Sequence, residues 1–239
     1  MVLPSAIFFD LDDTIISFDG ASDRAWEDVC GIYSEKYGYC EAGAFLDCIN
    51  SVRSWYWSDP DRFKAGRMDL LGALRTVIKM ALEKLNCLNM EHVFEIAEHY
   101  AKLQYSGVCL FPDSVRTLEN LKNKGFKLAV ITNGTSEEQR DKLVRFDLLK
   151  YFDICLIEQE VGFGKPDTRV FEMAMEHLKL KPEEAWMIGD NLEWDVEAPQ
   201  KLGIFSIWND YTKKGLSSDS RVKPDGIVNS IAGLEKLLY

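Results

Sequence analysis

At 239 residues the chain has room for one large domain or two modest ones, and its 46% apolar and 28% charged residues are ordinary globular usage, which excludes disordered, collagen-like and low-complexity proteins. Its 39 acidic against 28 basic side chains leave a net charge of −11 with no cluster of Lys and Arg, so nucleic acid and anionic membrane are excluded as partners. An anionic substrate is repelled by that bulk field and must be held by a few local donors or by a metal.

The opening apolar stretch is interrupted by Asp10 and carries no basic flank, and no apolar run approaches the ~18 residues of a membrane span. A soluble, untargeted, cytoplasmic protein is expected. Six cysteines, Cys30, Cys40, Cys48, Cys87, Cys109 and Cys155, lie far apart with no C-x-x-C pair; this predicts reduced, mostly buried thiols rather than a disulfide framework or zinc site. His92, His99 and His177 make no i, i+4 pair, so acid–base chemistry falls to carboxylates.

In chain order, the apolar run Ala6–Phe9 ends abruptly in Asp10, Asp12 and Asp13, predicting a buried strand with an acidic tip. From Asp19 to Leu110 the pattern turns helical: Leu70, Leu74, Val77, Ile78, Ala81 and Leu82 recur at helical spacing, then Val93, Ile96, Ala97 and Tyr100. With one proline, Pro60, and no convincing strand, residues 19–110 read as a separate all-helical unit of about four helices. It is inserted into a core made of residues 1–18 and 111–239, because alternation of strand and helix resumes after Pro112.

The core elements predicted are helix Ser114–Lys124, strand Lys127–Thr132, helix Glu137–Phe146, strand Ile154–Ile157, helix Arg169–Leu178 and strand Ala185–Ile188. A helix near Trp194–Leu202, strands Phe205–Trp208 and Gly226–Val228 and a final helix Ala232–Leu238 complete them, with Lys213–Asp225 an exposed loop. Such alternation predicts an α/β fold, a doubly wound, mostly parallel sheet whose ligands sit at the strand C-termini.

Four motifs fall at those strand ends. In Asp10-Leu11-Asp12-Asp13-Thr14 one carboxylate can attack phosphorus and a second, two residues on, can protonate the leaving oxygen; a turn or helix cap explains the same letters. Ile131-Thr132-Asn133-Gly134, followed by Ser136-Glu137-Glu138-Gln139 as a capping box, offers a hydroxyl and free N–H groups to an anion, or is an ordinary strand-to-helix turn. Gly162-Phe163-Gly164-Lys165-Pro166-Asp167 is no nucleotide P-loop, since Pro follows the lysine. It leaves Lys165 as a phosphate-neutralising cation or a solvated surface residue. Ile188-Gly189-Asp190-Asn191, with Asp195 five residues after Asp190, supplies two carboxylates suited to magnesium, or again a helix cap.

The ordered set, acid pair, Thr, Lys, acid pair, each at the edge of one sheet, resembles the haloacid dehalogenase superfamily over the whole chain from Ala6 to the terminal Asp225–Leu238 segment. The resemblance implies a Rossmannoid core with a helical cap inserted between the first two motifs. It implies Asp10 as nucleophile, Asp12 as acid/base and backbone-carbonyl metal ligand, Thr132, Asn133 and Lys165 as phosphate binders, and Mg2+ on Asp10, Asp12 and Asp190 with Asp195 in support. Thr14 and Asn191 are supporting residues. The Glu197-Ala198-Pro199 stretch departs from the family's small-residue pattern there, without touching the chemistry. Asp12 favours phosphate over halide, because a departing halide needs no proton.

The expected activity is therefore magnesium-dependent hydrolysis of a small phosphomonoester, by a monomer or homodimer. A sugar-phosphate mutase and a catalytically silent binding protein on the same fold are the alternatives. Arg53, Trp55, Tyr56, Trp57, Arg62, Phe63, Lys64 and Arg67 form an aromatic and basic cluster that either reads the leaving group or packs the helices, whereas Trp26, Tyr33 and Tyr37 belong to core.

Overall fold

A computed structural model describes residues 3–238. Within it the chain divides into two compact units: one takes the chain up to Ser17 and from Cys109 onward, the other is Phe18–Val108.

The first unit opens with β1 (Ala6–Phe9), whose four residues are all fully buried, as a strand covered on both faces requires. β2 (Ile16–Ser17) leaves the sheet and pairs antiparallel with β3 (Cys109–Leu110), where the chain returns. This corrects the expectation that residues 19–110 hold no strand: two-residue strands are too short to show periodicity, and their pairing spans some ninety residues of chain.

The helical unit between them holds five helices, α1 (Asp19–Tyr37), α2 (Ala42–Trp57), α3 (Pro60–Gly66), α4 (Leu70–Lys84) and α5 (Met90–Gly107). The short α3 explains the excess over four. Asp59 caps it by accepting from the Arg62 N–H, and Pro60 fills the first turn, where its missing N–H costs nothing. The apolar positions read from periodicity, Val77, Ile78, Ala81, Val93, Ile96 and Ala97, form its core with Trp26 and Tyr33.

The candidate leaving-group readers are engaged within this unit. Arg53 donates to Asn50, Asp23 and Ser22. Arg62 stacks 3.9 Å from the Trp55 ring and donates to the Trp55 and Tyr56 carbonyls, and Arg67 lies over Phe63.

The first unit continues with α6 (Ser114–Asn123), β4 (Lys127–Thr132), α7 (Ser136–Arg145), β5 (Ile154–Ile157), α8 (Glu158–Val161), α9 (Arg169–Leu178) and β6 (Ala185–Gly189). Then follow α10 (Ala198–Gln200), β7 (Phe205–Asn209), β8 (Gly226–Val228) and α11 (Leu234–Leu238). Six strands form one sheet in the order β5-β4-β1-β6-β7-β8, every pairing parallel. Phe8, Ala129, Ile131 and Met187 of the sheet pack with Val170, Phe171 and Ala174 of α9.

The continuous helix expected over Trp194–Leu202 is instead a π-helical stretch, Leu192–Glu197, followed by the three-residue α10. Pro199 has no N–H to donate back to residue 195, so the regular ladder cannot run through. The final helix likewise begins as a 3-10 turn, Ile231–Gly233, ahead of α11. All six cysteines are free, but only Cys30 is buried and Cys109 is exposed, which corrects the expectation of mostly buried thiols.

Phe171 is fully buried where α9 meets the sheet. Phe171→Ala is expected to cost about 3–5 kcal/mol, read as a lowered urea midpoint.

Candidate active site

The sheet places its chemistry where the strand order reverses. β1 lies between β4 and β6, so chain connections leave it in both directions and open a crevice at the strand C-termini. The residues just beyond those three strands are Asp10, Asn133 and Asp190.

Asp10 extends the β1–β6 ladder, its N–H donating to the Ile188 carbonyl at 2.9 Å. The chain then turns sharply: Asp13 adopts a left-handed φ of 55°, and the Asp13 N–H donates to the Ile16 carbonyl at 2.6 Å. The side chain of Asn209, at the end of β7, donates to the Asp13 carbonyl at 3.2 Å and ties the turn to the sheet.

Lys165 arrives from the segment between α8 and α9, and Asn133 fixes it. The Asn133 amide donates to the Lys165 carbonyl at 2.7 Å and accepts from the Lys165 N–H at 2.8 Å. Gly164 is required beside this clamp, because a Cβ there would collide with the Asn133 and Glu158 side chains. The buried Glu158 in turn accepts from the Gly134 N–H at 3.2 Å. Gly189 is constrained in the same way, its absent Cβ leaving room for the Asp195 carboxylate.

Lys165 is only 1% exposed. It donates to Asp10 Oδ1 at 2.6 Å and to Asp195 Oδ1 at 2.7 Å. The other Asp195 oxygen accepts from the Asn191 N–H at 3.1 Å. The Asn191 side chain caps the π-helical stretch by accepting from the N–H groups of Glu193 and Trp194, and Trp208 Nε1 donates to the Asp190 carbonyl at 2.7 Å. Asp10, Asp190 and Asp195 each offer an oxygen within 4.8 Å of the others.

Three carboxylates share one ammonium, and the electrostatics record the imbalance. Burial pushes the Asp10 carboxyl up to about 7, against the pull of Lys165 and with a further push from the Asp195 and Asp12 charges. Burial also holds Asp190 well above the usual carboxylate range, reinforced by the charges of Asp10, Asp195 and Asp13. Lys165 is raised: burial opposes its charge, but the Asp10 and Asp195 carboxylates outweigh it. Such a cluster of hard oxygen donors with an unmet negative charge fits a divalent cation of the magnesium or calcium type.

Asp12 sits to one side of this cluster, about a quarter exposed. Both of its oxygens lie 2.9 Å from Lys142 Nζ, and Gln139 Nε2 donates to Oδ2 at 2.9 Å. Gln139 Nε2 also lies 2.6 Å from the Asn133 carbonyl and 2.8 Å from Thr132 Oγ1, three acceptors around its two N–H groups. The structure thus brings together Asp10, Lys165, Asp190 and Asp195, and links Asp12, Thr132 and Asn133 through α7. Thr14 is buried with its hydroxyl unpartnered among the described residues.

Sequence reasoning missed Gln139 and Lys142. The capping box expected at Ser136–Gln139 does not form; the cap lies one residue earlier, where Thr135 Oγ1 accepts from the Glu138 N–H and donates to its carboxylate. That shift releases Gln139 from capping. The available signal was its spacing from Lys142, three residues on, which puts both on one helix face.

Comparison with known proteins places the chain in a class. The haloacid dehalogenase-like hydrolase family matches residues 4–203, and the chain belongs to it. A glyceraldehyde 3-phosphate phosphatase of Methanopyrus kandleri is 34% identical over 84% of this chain and 82% of its own length. A phosphoserine phosphatase of Thermus thermophilus is 40% identical, over 48% of this chain and 46% of the relative. Among solved structures, the magnesium-bound HAD-hydrolase YfnB of Bacillus subtilis superposes with a TM-score of 0.77 at 21% identity, over 99% of both chains.

The raised Asp10 carboxyl gives a pH signature. The folded chain keeps that proton up to about 7, whereas the unfolded chain releases it near about 4. Between those values the folded state binds more protons, so stability in the presence of a chelator falls as pH rises. Asp10→Asn is expected to reduce that slope, as measured by thermal melts in chelator from pH about 4 to about 7; an unchanged slope assigns the dependence to other groups.

Proposed function

We propose that this hydrolase is a magnesium-dependent phosphatase of small phosphomonoesters that works through an aspartyl-phosphate on Asp10. The observation that carries the reading is the convergence of Asp10, Asp190 and Asp195 around the buried Lys165 ammonium, with a second carboxylate, Asp12, two residues after the first. The phosphatase names of relatives with comparable coverage agree with it.

In this mechanism an Asp10 oxygen attacks phosphorus while the bond to the ester oxygen breaks, and Asp12 gives its proton to that departing oxygen. Water then attacks the phosphorus of the aspartyl-phosphate and loses a proton to Asp12. The bond to Asp10 breaks, and inorganic phosphate and a free carboxylate result. Lys165 offsets charge on the transferring group and orients Asp10. Thr132 Oγ1 and the Asn133 N–H are the remaining phosphate donors.

Asp10, Asp190 and the Asp12 carbonyl would hold Mg2+, with Asp195 in support; the ion would supply Lewis-acid stabilisation of the phosphoryl oxygens. Asp12 separates this chemistry from dehalogenation, since an alkoxide needs the proton that a halide does not. With a net charge of −11, a small ester in a cytoplasmic setting is a better substrate than a polyanion.

Release of p-nitrophenol from its phosphate ester tests the reading. Activity is expected with Mg2+, loss with chelator, and a fall of more than about 10³-fold in Asp10→Asn. Equal turnover by Asp10→Asn or in chelator rejects it, and an isomerised sugar phosphate without phosphate release identifies a mutase instead.

A further inference from the structure

Two α7 side chains reach the carboxylate that the proposed mechanism uses as its acid. Lys142 stands 2.9 Å from both Asp12 oxygens with its side chain only 12% exposed, and the buried Gln139 donates to Oδ2. The helix that carries them is fastened at its start. Thr135 caps it, the Ser136 N–H donates to the Gln159 side chain, and Arg140 pairs with Glu160 on α8.

Asp12 lies in the turn that passes through the left-handed Asp13, and its carboxylate is met by these α7 side chains. A loop carboxylate free to rotate is a poor acid, because proton transfer requires hydrogen-bond reach to the leaving oxygen.

We propose that Gln139 and Lys142 are positioning residues that clamp the Asp12 carboxyl for proton transfer to the leaving oxygen. The inference rests on the phosphatase reading and assigns these side chains a part in it. Oδ2 takes a donor from each residue, whereas Oδ1 has Lys142 alone, so the two side chains fix the orientation of the carboxyl group and leave Oδ1 the less engaged oxygen. Through its further contacts with Asn133 and Thr132, Gln139 sets the acid at a fixed distance from the proposed phosphate donors.

The test compares kcat/KM for dinitrophenyl phosphate, whose leaving group departs without a proton, and for glycerol phosphate, whose alkoxide needs one. This constant senses steps only through departure of the leaving group, so Asp12's later work on water does not enter it. Lys142→Met is expected to lose about 10²-fold more on glycerol phosphate than on the activated ester, with Lys142→Arg restoring part of it. In an Asp12→Asn background, Lys142→Met adds no further selective loss.

Equal losses on both esters in an active enzyme overturn the clamp and leave the phosphatase reading intact. A wild-type chain that hydrolyses neither ester overturns that reading and the clamp with it. Should Lys142→Met fail to fold, Gln139→Leu is measured in the same way, with the same selective loss expected and an equal loss overturning the clamp.

Discussion

The ammonium of Lys165, enclosed between Asp10 and Asp195, is the interaction on which the site depends. A buried lysine is tolerated only when its charge is answered, and here two carboxylates answer it at 2.6 and 2.7 Å. The relation is mutual, since removing the cation would strand two buried carboxylates beside a third. Everything around it serves this contact: the Asn133 clamp on the Lys165 backbone, the Asn191 N–H on Asp195, and two glycines whose missing side chains leave the space.

The topology makes the contact possible. Asp10 and Lys165 are 155 residues apart in sequence, yet each sits beyond the C-terminal end of a parallel strand near the point where strand order reverses. Because all six strands run the same way, their C-terminal ends share one edge, and every strand-to-helix connection delivers its polar residues there. Packing and chemistry are separated along each strand: the apolar body of β1 is fully buried, and the first residue beyond it is a carboxylate.

This separation explains what the sequence made legible. β4, β5, β8 and α9 were readable to the residue: β4 and β5 as apolar runs, α9 from its helical repeat of buried Val170, Phe171, Ala174, Met175 and Leu178, and β8 as a short apolar step between turn residues. Asp10 and Asp190 stand where the apolar strands β1 and β6 stop, whereas Lys165 and Asp195 were singled out by the Gly-Lys-Pro turn and by spacing from Asp190. Gln139 and Lys142 were not: they lie inside an amphipathic helix whose polar residues look alike, and only tertiary placement shows which face meets Asp12. The β2–β3 pair and the π-helical stretch were hidden too. One rests on a contact across ninety residues of chain, the other on a hydrogen bond that Pro199 cannot make.

The overall charge now acquires a local meaning. A chain of net charge −11 that gathers three of its carboxylates at one sheet edge repels an anion both through its bulk field and through the local cluster. Fixed cations reverse this only at short range, where low solvent exposure strengthens them. Lys165 is already paired with Asp10 and Asp195, and Lys142 with Asp12, so any charge these ammoniums offer an anion is shared with those carboxylates. The carboxylate excess therefore suits this edge to a cation first. In the proposed mechanism a phosphate ester would be held there by that ion, by oriented backbone donors and by the charge Lys165 shares with its carboxylates, while both lysines fix the carboxyl groups in place.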